Sequence, residues 1–154
     1  MNFKSIVEID YMKDKAFIDT NIFVYAFLDI HKNEEDRLKS KKAKNFLREI
    51  GLNSSLYIST QVCNEFYSVL LKNKVCDEII QKNLIKIIKV VNTSSINLDT
   101  IEGAFFIKNN YNFSYWDSLI LSSALENCCS ILFSEDMQDG QVIDNRLQII
   151  NPLK

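Results

Sequence analysis

The feature that most constrains this chain is an alternation of two periods, in which short apolar runs are followed by longer segments whose apolar residues recur every three or four positions. The runs at 16–18, 56–59, 88–91, 130–133 and 147–150 predict five strands. The segments 21–28, 34–50, 60–73, 77–87, 98–109 and 115–127 predict helices. Strands that are apolar on both faces and alternate with helices become buried between helical layers. The expected fold is therefore α/β, a three-layer α/β/α sandwich around a mainly parallel five-stranded sheet. In such folds ligands gather beyond the carboxyl ends of the strands.

Length and composition set the outer bounds. A chain of 154 residues with three glycines, one proline and no linker-like stretch is expected to form one domain over 1–154. Apolar residues at 47% and charged residues at 25% exclude a disordered or fibrous chain. No apolar run reaches the ~18 residues a membrane helix needs. The start of the chain mixes Lys4, Glu8, Asp10, Lys13 and Asp14 with apolar positions, unlike a secretory signal. Cys63, Cys76, Cys128 and Cys129 lack the C-x-x-C spacing of zinc or redox sites and read as reduced thiols of a cytoplasmic protein. The net charge of −2 means that the molecule as a whole does not attract a polyanion, so such a substrate would need a local basic face or bound cations.

Four acids carry the functional reading. Asp19 directly follows the first predicted strand, where a ligand-binding carboxylate belongs, although an acid at a strand-to-helix turn also serves as a helix cap. Glu65 falls at the edge of the stripe formed by Val62, Phe66, Val69 and Leu70, so its charge needs a partner. Asp117 opens a helix with Leu119, Ile120, Ser123 and Ala124 on its inner side, and Ser114 three residues earlier gives the S-x-x-D spacing of a capping box. Asp136 follows the fourth predicted strand, with Glu135 and Asp139 as rivals. One sheet edge can collect all four. Carboxylate oxygens are the ligands that Mg²⁺ and Mn²⁺ prefer, and such ions activate water and stabilise the leaving oxygen in phosphodiester cleavage.

Three segments, Phe17-Ile-Asp-Thr-Asn-Ile22, Ser59-Thr-Gln-Val-Cys-Asn-Glu-Phe66 and Tyr115-Trp-Asp-Ser-Leu-Ile120 with its continuation to Gly140, resemble the PIN-domain nucleases, particularly the VapC-type toxins of bacterial toxin–antitoxin pairs. The resemblance covers roughly 15–150 and leaves 1–14 as an N-terminal extension. It implies cleavage of RNA with Mg²⁺ or Mn²⁺ held by Asp19, Glu65, Asp117 and Asp136. It further implies supporting roles for Asn21 and Ser134, a water-mediated contribution from Asp139, a homodimer, and an antitoxin partner that covers the site. Asp136 is favoured over Asp139 as the fourth ligand because it lies nearer the strand end.

Other features have plainer readings. The segment 37–48 places six cations on a helix whose apolar side is expected to be Leu38, Phe46, Leu47 and Ile50; it reads first as a solvated face, with a grip on RNA phosphates as the alternative. Phe113, Tyr115 and Trp116 read as core packing rather than base-stacking residues. His31, the one histidine, reads as a surface-loop residue, which disfavours a Ser-His-Asp hydrolase. An aspartate-nucleophile phosphatase would want a second aspartate where Asn21 stands, and a phosphate-receiver domain would want paired acids and a late lysine that are not evident. A PIN fold that binds RNA or protein without cutting is the remaining alternative.

Overall fold

A computed structural model describes residues 14–28, 33–53 and 55–154. His31 and nearly all of the N-terminal extension lie outside the described residues. The order of elements is β1 (Ala16–Ile18), α1 (Thr20–Phe27), α2 (Glu34–Ile50), β2 (Leu56–Ser59), α3 (Thr60–Lys72), α4 (Asp77–Val90), β3 (Asn92–Ser94), α5 (Leu98–Tyr111), α6 (Tyr115–Glu126), β4 (Ile131–Phe133), β5 (Val142–Ile143) and β6 (Leu147–Ile150). The expected α/β fold with a mainly parallel sheet flanked by helices is observed.

Among the described residues the sheet has six strands rather than five, in the order β3-β2-β1-β4-β6-β5. All neighbours are parallel except the β5–β6 pair, which is antiparallel. The additional strand, β5, is two residues long and lies at the sheet edge, too short to leave a period in the sequence. A second correction concerns 88–91, expected as a strand. Helix α4 runs on through Val90, because Ile80, Leu84, Ile87 and Val91 continue one stripe at helical spacing toward the core. The strand comes one step later as the polar Asn92–Ser94, which as an edge strand needs no apolar outer face.

The central strands β1 and β4 are buried throughout, and a single apolar cluster containing Phe17, Phe23, Phe46, Phe66 and Phe133 surrounds them. Helix α2 contributes Ala43 and Phe46 to it, with Leu47 and Ile50 partly buried. Leu38 does not join them; it is 51% exposed, because it is turned well away from the Ser40–Ala43–Phe46 line.

From β1 the chain builds outward through β2 and β3 on one side, and β4, β6 and β5 occupy the other. Strand order thus reverses between β1 and β4. That reversal opens a crevice beyond their carboxyl ends, where Asp19 follows β1 and Ser134 to Asp136 follow β4.

Candidate active site

Asp19, Glu65, Asp117 and Asp136 line one cavity of about 390 Å³ at that crevice, together with Gln61 and Lys72. The fold brings all four expected acids together. Asp19 and Asp136 arrive on the loops after β1 and β4, Glu65 from the second turn of α3, and Asp117 from the first turn of α6.

Asp19 is 6% exposed and is the N-cap of α1, its Oδ1 accepting the Thr20 backbone N–H at 2.7 Å. Its Oδ2 accepts the Ser134 hydroxyl at 2.8 Å and the Asn21 amide at 3.2 Å. The capping and site-lining readings therefore hold together. These donors are all neutral. Burial pushes the Asp19 carboxyl up to about 7; the Ser134 and Thr20 donors oppose this, and the charges of Glu65 and Asp117 add to it.

Asn21 ties the two loops together. Its amide also donates to Asp136 Oδ2 at 3.0 Å, while its Oδ1 accepts the Glu135 backbone N–H at 3.2 Å. Glu65 finds neutral partners, the Thr20 hydroxyl at 2.8 Å and the Gln61 amide at 2.9 Å. The sequence reading missed Thr20 and Gln61 as the groups that hold Glu65. Gln61 carried a usable signal, since it lies one helical turn before Glu65 on the same face. Ser114 Oγ accepts the Asp117 backbone N–H at 3.1 Å and so caps α6, while Asp117 itself lines the cavity. Its carboxyl is raised by burial, with the Ser114 hydroxyl opposing and the charges of Asp136 and Glu65 adding.

The rivals of Asp136 are occupied elsewhere. Asp139 accepts the Asn151 backbone N–H and the Lys154 ammonium, each at 2.8 Å, and does not line the cavity. Lys154 above all, with the Asn151 N–H, holds its carboxyl below the usual range. Glu135 pairs with Lys39 at 2.7 Å, which fastens α2 to the loop after β4. Trp116 corrects a further expectation. Phe113 packs against the core, but Trp116 is 62% exposed at the cavity wall, since it precedes Asp117 in the first turn of α6; its carbonyl accepts the Gln61 amide at 3.1 Å.

The donors suit a hard cation in kind, being carboxylate and amide oxygens with Lys72 as the one basic lining residue among the described residues. Among the described residues no three carboxylate, thiol or imidazole groups are drawn together tightly enough to hold an ion as they stand. Mg²⁺ does not require such a cage, because it commonly retains several waters and binds one or two carboxylates together with substrate phosphate.

No helix among the described residues is long and apolar enough to cross a membrane. No curated protein matches the chain. Among solved structures it is similar to a toxin–antitoxin complex from Klebsiella pneumoniae, at 20% identity and a TM-score of 0.65, covering 90% of this chain and 98% of that one. It is also similar to Mycobacterium tuberculosis VapC20, described as a Sarcin-Ricin loop cleaving toxin, at 15% identity and a TM-score of 0.61, covering 79% and 92%. A third is VapBC2 from Rickettsia felis, bound to a DNA fragment from their promoter, at 18% identity and a TM-score of 0.60, covering 88% and 98%. At these identities the likeness is one of fold. The PIN domain family model matches residues 16–138, a span that runs from β1 through all four cavity-lining acids, and the chain belongs to the PIN-domain family.

Proposed function

We propose that this protein is a metal-dependent endoribonuclease and the toxin of a type II toxin–antitoxin pair. The observation that carries the reading is the meeting of Asp19, Glu65, Asp117 and Asp136 in one cavity at the strand-order reversal, held there by neutral donors. Four carboxylates so placed would repel a phosphodiester, and a divalent cation between them and the substrate removes that repulsion.

The four acids would hold Mg²⁺ or Mn²⁺, which supplies an activated water and stabilises the leaving oxygen. Asp19 and Asp136 sit closest to the point where the two central strands end, and Asn21 and Ser134 orient them. Gln61 and Thr20 fix Glu65. In this reading Asp136 is the fourth ligand, and Asp139 ties the carboxyl end of the chain to the loop after β4.

The toxin reading draws support from the fold shared with toxin–antitoxin proteins. It carries with it a cytoplasmic location, an antitoxin that covers the cavity, and a homodimer.

One pair of proteins tests the whole reading. Wild type with Mn²⁺ or Mg²⁺ is expected to cut RNA leaving 5′-phosphate ends, to lose activity with a chelator, and to arrest growth when expressed unless its antitoxin is co-expressed. The Asp19→Asn protein is expected to do none of these. Equal cleavage by that variant would sink the assignment, and a folded wild type that binds RNA uncut under all metals would favour the non-cleaving alternative.

A further inference from the structure

Among the described residues Lys72 is the one cation that lines the acid cavity, too little to hold a long polyanion, and the net charge of −2 offers no general attraction. The chain nevertheless carries a stripe of four cations beside that cavity's neighbours. On α2, Arg37, Lys41, Lys44 and Arg48 are all exposed. Their spacing of four, three and four residues keeps them within an arc of about 60° along roughly 16 Å of helix. Lys39, on another face of the same helix, is held between Glu35 and Glu135, whereas the pairing of Arg37 with Glu34 is a long 3.8 Å contact in water, so the charges of α2 divide between a structural and a surface set.

The surface set is joined to the acid cavity. Asn21, Val24, Val69 and Asp136 line both that cavity and a second one of about 310 Å³, whose far wall includes Tyr25, Asp36 and Ser40. Ser40 in turn lines a third cavity, of about 280 Å³, walled by Arg37, Lys41, Lys44 and Arg48. The acid cavity, the second cavity and the basic stripe are therefore neighbours, with Ser40 at the boundary between the last two. At the junction Ser40 is 3% exposed, and its hydroxyl is buried without a hydrogen-bond partner among the described residues. A buried hydroxyl left unpaired is costly, and turning the side chain toward a ligand oxygen would satisfy it.

We propose that Lys41, Lys44 and Arg48, with Arg37, form a track for the phosphates of a single RNA strand, and that Ser40 marks where this strand passes from α2 into the acid cavity. The inference rests on the nuclease reading for the strand's destination. Phosphate contacts of this kind position a substrate without reading its sequence. The track thus contributes affinity and places the strand across the carboxylates, leaving base selection to other surfaces.

The test compares two charge-neutralised proteins in the Asp19→Asn background, with a fluorescein-labelled single-stranded RNA as the probe. One carries Lys41→Gln, Lys44→Gln and Arg48→Gln. The other carries Lys82→Gln, Lys86→Gln and Lys89→Gln, three exposed lysines over an equal length of α4, away from all three cavities. Both remove three charges from one helix face, so they differ chiefly in place. The α2 variant is expected to bind roughly tenfold or more weakly at low salt, and its log K against log salt slope to fall by about 2, near 0.7 per phosphate contact on a single strand. The α4 variant should stay within about twofold of its parent. Equal weakening by the two sets, or an unchanged salt slope in the α2 variant with its melting temperature intact, overturns the track. The same substitutions with Asp19 restored should raise KM and leave kcat nearly unchanged. If the wild type, with Asp19 intact, cuts no RNA while the α2 set still weakens binding, the nuclease reading fails and the track stands.

Discussion

Ser134 illustrates how much a single hydroxyl can decide. It is fully buried and donates to Asp19 Oδ2 at 2.8 Å, so it both stabilises that carboxylate and fixes the plane in which its oxygens lie. Hydrogen bonds to a charged group contribute about 1.5–3 kcal/mol, and one tenfold step in rate is about 1.4 kcal/mol. Ser134→Ala is therefore expected to lower kcat about tenfold in metal-dependent RNA cleavage, with KM little changed and the melting temperature lowered by several degrees. An unaltered kcat would mean that the Thr20 N–H and the Asn21 amide orient Asp19 without help. The residue types of the site were readable from sequence because each acid stands next to a strand end or a helix start. The neutral donors were harder to read: Thr20 meets Glu65 across 45 positions of chain, and Asn21 meets Asp136 across 115. Such pairings exist only once the sheet order is known.

Helices α5 and α6 meet through a close approach that depends on one glycine. A Cβ at Gly103 would lie 2.4 Å from Ser122 Oγ, and that hydroxyl is already committed to the Thr100 carbonyl at 2.7 Å. Alanine would gain about 1 kcal/mol of helix propensity but would force the serine to move, breaking its bond in a packed interface at ~1–3 kcal/mol. The clash is expected to prevail, lowering the melting temperature by a few degrees. Adding Ser122→Ala should recover part of that loss, because the nearest remaining contact of the new methyl, Ser122 Cβ, is at an ordinary 3.6 Å. A single Gly103→Ala protein as stable as wild type would count against the packing account. Elements were legible in sequence in proportion to their burial. Helix α2 is found at its expected bounds of 34–50, and β1 and β4 fall within their apolar runs. The failures lie at the sheet edges, where β3 is polar and β5 is two residues long, since neither edge strand has two faces to bury.

At the scale of the whole molecule, the site is a gathering of like charges that the fold must hold together. Burial and the neighbouring carboxylates both disfavour charge on Asp19 and Asp117, and folding draws these groups together from four separate elements. A cation bound there acts on the folded state alone, so it should stabilise the entire domain. At a hundredfold excess over its dissociation constant such a ligand adds ~2.7 kcal/mol, which for a chain of this size corresponds to a rise of roughly 5–10 °C in melting temperature. Mn²⁺ added to chelator-treated protein is expected to produce that rise, and Ca²⁺ or Na⁺ at equal ionic strength to produce less. Asp117→Asn should shift both ends of the experiment in opposite directions. With one of the repelling charges removed, the metal-free protein should melt higher than wild type, and with one donor weakened its Mn²⁺ response should shrink. Scanning calorimetry across a Mn²⁺ titration decides this without reference to catalysis. A melting temperature indifferent to Mn²⁺ in the wild type would show that the four acids hold no ion in the absence of RNA, and would move metal binding to the complex with substrate phosphate.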